Sequence, residues 1–394
     1  MSRTYNDPGN VKGDGAVESG VGSQIRIDSY NKKALIEMRK EQYFGQLANT
    51  VSMPKNMGKT MRKYHYLPML DDANINDQGI DASGAVIANG NLYGSSKDVG
   101  TIAGKMPVLS ETGGRVNRVG FKRVEIEGTI AKFGFFDEYS QESVDFDSDA
   151  DLQMHINREM LSGANEVTED ALQIDLLNSP GVIKFGGTAT DDIEIDGTSE
   201  IDYTDLLRLS IDLDNNRTPK QTKVITGTRL VDTKTLPGGR VMYIGSELQL
   251  MIEGMVDLHG VAAFTSVEKY AAGGTVLNGE IGTVGKFRIV VVPEMMKWEG
   301  AGAVDTGNTT HFATGGNFDV FPMLVVGDAS FSTIGFQTDG KTVKFKIKHA
   351  APGSSESYAI DPYGETGFMS IKWYYGFLLE RGERIAVAKT SAPM

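Results

Sequence analysis

The chain has 394 residues, 40% of them hydrophobic and none a cysteine, with 52 acidic against 39 basic side chains for a formal net charge of -13. That size and apolar content predict folded cores for two or three domains; the missing thiols exclude disulfide frameworks and thiolate chemistry and fit a reducing compartment. The acidic balance opposes a large nucleic-acid footprint, which needs clustered lysine and arginine, and apolar runs such as residues 289–292 are too short to cross a bilayer. Residues 1–20 also lack a hydrophobic signal core, so the expected product is soluble, cytoplasmic and free of membrane.

Residues 1–30 are polar and glycine-rich, without helical or strand spacing, and read as a mobile or partner-ordered arm. A short helix is expected over 31–47, where Ala34, Leu35, Met38, Gln42 and Phe44 make a weak stripe. Lys32, Lys33, Arg39, Lys40, Lys55, Lys59, Arg62 and Lys63 make this neighbourhood basic, which describes a solvated face or a contact with DNA or an acidic partner. Strands are expected over 61–70 and 121–130; in the second, Val124, Ile126 and Ile130 alternate with Arg123, Glu125, Glu127 and Thr129. The two read as a long hairpin. The stretch between them is dense in Gly, Asn, Asp and Ser and too long for a passive connection in a compact domain. Within it Ile75, Ile80, Val86, Ile87, Leu92, Tyr93, Val99 and Ile102 suggest that part of the loop packs on something.

The longest amphipathic helix is predicted over 149–178, about 45 Å at 1.5 Å per residue. Asp147, Ser148 and Asp149 supply capping groups at its start, and Asn178-Ser179-Pro180 stops it. Leu152, Ile156, Met160, Ala164, Val167, Ala171, Ile174 and Leu177 form the expected buried stripe, Met154, Leu161, Leu172 and Leu176 widen its apolar part, and His155, Glu159, Ser162, Glu166, Glu169 and Gln173 face water or a partner. Further helices are expected over 203–214 and 246–260, and strands over 224–226 and, buried on both sides, 287–292. Residues 342–349 alternate strictly, with Val343, Phe345 and Ile347 inward and Lys344, Lys346 and Lys348 outward. Such lysines block edge-to-edge aggregation or meet a neighbouring subunit's acids. Residues 368–379 and 384–389 read as a closing hairpin.

Enzymatic chemistry is not legible. Asp145, Asp147, Asp149 and Asp151 suggest a calcium loop, but Ala150 stands where glycine is needed and Ile156 where a bidentate glutamate is needed. Asp212, Asp214 and Asn216 fail likewise, at Arg217 and Lys223. Gly279, Gly282 and Gly285 lack dinucleotide spacing and read as turn glycines. His65, His155, His259, His311 and His349 form no local ligand pair, so no metal or cofactor is expected.

Three blocks carry a resemblance. MPVLSETGGRVN (residues 106–117) followed by AKFGFFDEYSQESV (131–144), NGEIGTVGKFRIVVVPEMMKWEGAGA (278–303) and DPYGETGFMSIKWYYGFLLERGERIAV (361–387) occur in this order over roughly residues 30–390. They resemble tailed-bacteriophage major capsid proteins, in particular the family of short-tailed phages that carry a virion RNA polymerase. The resemblance implies an α+β tailed-phage major capsid fold. Its parts would be an arm at 1–30, an N-terminal helix region at 31–60, an extended loop hairpin at 61–122 and a peripheral domain with its spine helix at 123–180. An axial domain would follow at 181–335, with returning strands and a C-terminal hairpin at 336–394.

The implied function is a shell subunit, not an enzyme, that assembles as hexamers and pentamers into an icosahedral head around double-stranded DNA. Intersubunit contacts are expected from Ile75, Ile80, Val86, Ile87, Lys344, Lys346 and Lys348. Implied partners are further copies of the chain, a portal, separate scaffolding or decoration proteins where used, and DNA as a non-specific neighbour; the place is the virion, assembled in the host bacterial cytoplasm. The alternative is a soluble enzyme or carbohydrate-binding protein with a glycine-rich cleft.

Overall fold

The computed structural model describes residues 43–47, 49–66, 97–104, 106, 123–146, 152–225, 233–236, 239–270, 276–307, 310–336, 345–354 and 363–394. In chain order the first elements are β1 (Asn49–Met53), β2 (Thr60–Tyr66), α1 (Val99–Gly104), β3 (Arg123–Ser140), α2 (Gln141–Phe146) and α3 (Leu152–Asn178). Next come β4 (Val182–Phe185), α4 (Tyr203–Asn215), β5 (Thr222–Ile225), β6 (Thr233–Leu236), β7 (Arg240–Gly245), α5 (Gln249–Glu253), β8 (Phe264–Ser266), β9 (Glu280–Val284) and β10 (Phe287–Val292). The chain closes with β11 (Ala313–Thr314), β12 (Asn317–Phe318), β13 (Phe321–Val326), β14 (Phe331–Phe336), β15 (Lys346–Ala350), β16 (Thr366–Leu379) and β17 (Ile385–Thr390).

These residues form two compact units. The larger is built on a seven-stranded sheet in the order β4-β17-β13-β7-β10-β9-β8. β7 and β13 are buried at every position, which is why they read as continuous apolar runs rather than alternating ones. β10 runs parallel to β7, whereas β13 is antiparallel to both β7 and β17. Helix α4 lays Leu206, Leu209 and Leu213 on a core containing Met242, Ile244, Ile289, Met323 and Val325. Its start is fixed by Asp202 and Asp205, each of which accepts the other's backbone N–H in a capping box. The expected 287–292 strand and 203–214 helix are thus present. So is the β2–β3 hairpin, with Thr60 opposite Thr129 through to Tyr66 opposite Arg123. Beside that hairpin, Met53, Ile334 and Leu378 pack with Met61, Ile126 and Ile130. Gly376 is required there, because a Cβ on it would lie 2.6 Å from the Thr129 carbonyl oxygen of β3.

The smaller unit comprises residues 131–168 and 343–375 as far as they are described. There β15 and the first part of β16 are antiparallel, Lys346 opposite Lys372 and Ala350 opposite Phe368. Trp373, buried on β16, meets Phe133, Phe135 and Phe345 at ring-centroid distances of 5.9, 6.0 and 5.6 Å. Gly163 of α3 brings the helix close to this aromatic layer, its Cβ direction 3.6 Å from the Phe135 ring.

Several expectations are corrected. The described end of the 31–47 helix is a 3-10 turn, Gly45–Leu47, followed by β1. Helix α3 spans 27 residues, about 40 Å, and its buried line follows the predicted stripe only in part. Met160, Ala164, Leu172 and Leu176 are buried while Val167 and Ile174 are exposed, and Gln173 on the expected polar stripe is buried. Buried positions four residues apart advance about 40° per step around a helix of 3.6 residues per turn, so the buried line winds and carries Glu169 and Gln173 inward. The 246–260 helix shrinks to a 3-10 turn and α5, because Gly254 caps α5 and Asp257 accepts the N–H groups of His259 and Val261 to form a turn. The closing hairpin is absent: β16 pairs with β14 and β15, β17 with β13 and β4. The reason lies in the turn, where the N–H groups of Glu380 and Arg381 donate to the Ser330 carbonyl and Gly382–Arg384 form a 3-10 turn, so the chain changes sheets.

Met160 is only 5% exposed, and Met160→Asp should cost roughly 3 to 5 kcal/mol by burying an unpaired charge. The variant should be insoluble or melt far below wild type by circular dichroism, while Glu166→Gln, on the more accessible side of α3, should melt normally.

Candidate assembly surfaces

Buried charges in the larger unit are joined to one another. Arg240, at the start of β7, donates through Nη2 to Asp214 Oδ1 at 2.6 Å and to the Thr218 carbonyl at 2.7 Å. Lys286 and Lys220 approach the other Asp214 oxygen at 3.2 and 3.4 Å. Burial pushes the Asp214 carboxyl up, but hydrogen bonds from Arg240 and Lys286 outweigh it and hold the group down at about 2. Asp212 pairs with Lys184 at 2.8 Å, so the two acids considered for a calcium loop anchor strands instead. Glu280 takes Nε and Nη2 of Arg288 at 2.7 and 2.8 Å and also accepts the Tyr270 hydroxyl at 2.7 Å. Burial, then that hydrogen bond, push the Tyr270 phenol up.

Among the described residues no group of three or more His, Asp or Glu side chains is placed to hold a metal ion. His311 pairs with Glu200 at 2.9 Å and His349 meets the Tyr139 hydroxyl at 2.5 Å, so these two histidines are engaged in separate places. Gly279 and Gly285 have φ of 72° and 56°, as turn glycines require.

Exposed features are of three kinds. In the larger unit, Leu250, Val256, Leu258 and Val261 are exposed on α5 and the turn after it. Asp257 Oδ1 accepts the N–H groups of Val261 and His259 at 2.9 and 2.8 Å, bonds that hold its carboxyl below the usual range and make the turn rigid. Also in the larger unit, a groove of about 200 Å³ is lined by Ile174, Leu177, Asn178, Met296, Lys297 and Trp298. In the smaller unit, Lys346 and Lys348 are exposed on β15 as expected, and Ile347, opposite Ile371 on the other face, is still 44% exposed because β15 lies on the margin of the paired strands described there. Ile75, Ile80, Val86, Ile87 and Lys344 lie outside the described residues, as do the 1–30 arm and the capping residues Asp147, Ser148 and Asp149. The sequence reading missed Lys132 and Lys372 as companions of Lys346 and Lys348; the strand alternation around each was the available signal.

The comparisons agree with this geometry. A family model described as phage capsid protein matches residues 123–389. The major capsid protein of Pseudomonas phage KPP21 is 60% identical over 389 residues, 98% of this chain and 97% of that one. Among solved structures, the capsid of Ralstonia phage GP4 aligns with a TM-score of 0.60 at 10% identity, covering 96% of this chain and 98% of that one. The capsid asymmetric unit of cyanophage Pam1 aligns with a TM-score of 0.56, also at 10% identity, over 96% and 99%. At such identities the two structures speak for the fold alone, an α+β fold of the tailed-phage major capsid type with α3 as its spine. Together with the full-length relative they define a structural protein of a virus particle, and the enzyme and carbohydrate-binding alternative falls. The chain belongs to the phage capsid protein family.

The Asp214 cluster gives a pH prediction. Its folded value lies below the ordinary 3.8, so its stabilisation is present above about pH 4 and is lost as pH falls towards 2. Asp214→Asn should lower stability at pH 7 by on the order of 2 kcal/mol. In thermal scans the gap to wild type should close between about pH 4 and pH 2; a gap independent of pH would show that the charge is not the cause.

Proposed function

We propose that many copies of this chain, as hexamers and pentamers, close an icosahedral shell around the double-stranded DNA of a tailed phage. The observation that carries this reading is the 60% identity to a phage major capsid protein over nearly the whole of both chains. Self-association and a place in the virion follow from the family; the capsomer types, the DNA and the setting in the host cytoplasm belong to the proposal. A portal and, where used, scaffolding or decoration proteins are further proposed partners. Residues 61–122 are assigned as the extended loop, 123–180 with 336–394 as the peripheral domain, and 181–335 as the axial domain.

An excess of 13 acidic over basic side chains suits a container that must not grip its contents, since uniformly basic walls would bind phosphate. Ile75, Ile80, Val86 and Ile87 are proposed to be buried on a neighbouring subunit, and Lys344, Lys346 and Lys348 to meet a neighbour's acids. A mass measurement on unboiled protein tests the reading directly: closed megadalton particles are expected, and a monomer would contradict it.

Obligate interfaces commonly bury about 2,000 Å² or more. If the loop supplies one, replacing residues 74–91 with a short glycine-serine turn should leave native circular dichroism and yet give no closed shells by electron microscopy. Normal particles from that deletion would make the loop a surface ornament.

A further inference from the structure

Lysines of the smaller unit are gathered on one side of its strands, and the pairing register identifies that side. Lys346 stands opposite Lys372, and Lys348 opposite Ser370; directly opposed residues share a face. The other face carries Met369, Ile371 and Trp373, all buried, with Trp373 against the rings of Phe133, Phe135 and Phe345. Alternation along β3 turns Phe133 and Phe135 to that inner layer, so Lys132, Gly134 and Phe136 stand on the lysine side. Gly134 fixes the placement, since a Cβ on it would lie 3.3 Å from Lys372 Cβ.

The outer face therefore presents Lys132, Lys346, Lys348 and Lys372, all exposed, together with Phe136, which is 66% exposed. Lys348 Nζ lies 5.7 Å from the Phe368 ring centroid on the same side. Glu138 is the acid that alternation adds. Lysines that only guard a strand edge are needed on β15 alone. Lys132 and Lys372 sit on other strands, and a phenyl ring exposed on the same face as four lysines does nothing for solubility.

An aromatic anchor with a charged surround has the anatomy of a protein contact, apolar centre and polar rim. Duplex phosphates would use the lysines and leave the ring without a role, so a protein is favoured over DNA. The acidic protein present in the largest number around any subunit is another subunit, with its net charge of -13.

We propose that the outer face of β3, β16 and β15 in the smaller unit docks an acidic segment, bearing an apolar side chain for Phe136, of a second copy of this chain. The inference rests on the shell-subunit reading. Phe136 provides the buried contact; the lysines steer and set register, and salt weakens them.

Two measurements on particles test it. With p-benzoyl-phenylalanine in place of Phe136, irradiated particles should yield a cross-link to an Asp- or Glu-containing peptide of this same chain. Adding Lys348→Glu and Lys372→Glu should lower its yield about tenfold, the effect of losing one good charge pair. In wild-type particles, where nothing is substituted, acetylation of Lys132, Lys348 and Lys372 should be about tenfold slower than in free subunits, the same factor. Cross-links to DNA or to a different protein, no cross-link from closed particles, or equal acetylation in particles and subunits would each overturn the proposal. Failure of wild-type protein to form particles would instead sink the shell reading.

Discussion

A carboxylate inside the larger unit ties three parts of it together. Glu169 on α3 accepts the backbone N–H groups of Tyr43 and Phe44 at 2.7 and 2.6 Å, both through Oε1. Consecutive N–H groups of a turn lack partners of their own, and gathering them on one anion satisfies them in a way water cannot once the site is buried. Burial pushes the Glu169 carboxyl up, while the N–H bonds from Phe44 and Tyr43 act against that. The same turn reaches the central sheet, where the Tyr243 hydroxyl of β7 donates to the Tyr43 carbonyl at 3.1 Å and the Phe44 ring lies 4.6 Å from that of Tyr243. Helix α3, the chain leading into β1 and strand β7 thus meet at one point, from which β1 goes on to pair in parallel with β14.

The other buried charges follow the same logic. Arg240 and Arg288 are answered by Asp214 and Glu280, each with further hydrogen bonds, so the interior electrostatics hold strands in register. Such pairs bring little net stability, yet removing one partner is costly, which makes the framework specific rather than merely compact. These groups serve the fold, and a shell subunit meets its neighbours through its exposed faces.

What could be seen in the sequence was local. Alternation marked β3, the 3.6-residue period marked α3 and α4, and the apolar run at 287–292 marked a strand covered on both sides. What could not be seen depended on partners far along the chain. Glu169 read as solvent-facing because its answering N–H groups are more than 120 residues away. Residues 368–379 and 384–389 read as a hairpin because Ser330, whose carbonyl takes the N–H groups of Glu380 and Arg381, lies far from that turn in sequence. Lys346 and Lys348 were visible as a row, but Lys132 joins them only through β16, whose Lys372 links the two.

The role given to Glu169 is most directly tested by hydrogen exchange of the Tyr43 and Phe44 amides in wild type and in Glu169→Ala, with the amides of β7 as internal reference. If the carboxylate is the tie described above, the substitution leaves two buried donors unsatisfied, a loss of about 1 to 3 kcal/mol each. Protection at Tyr43 and Phe44 should then fall by at least about tenfold, while protection in β7 falls much less. Unchanged protection of the two amides, or an equal loss throughout β7, would contradict the account.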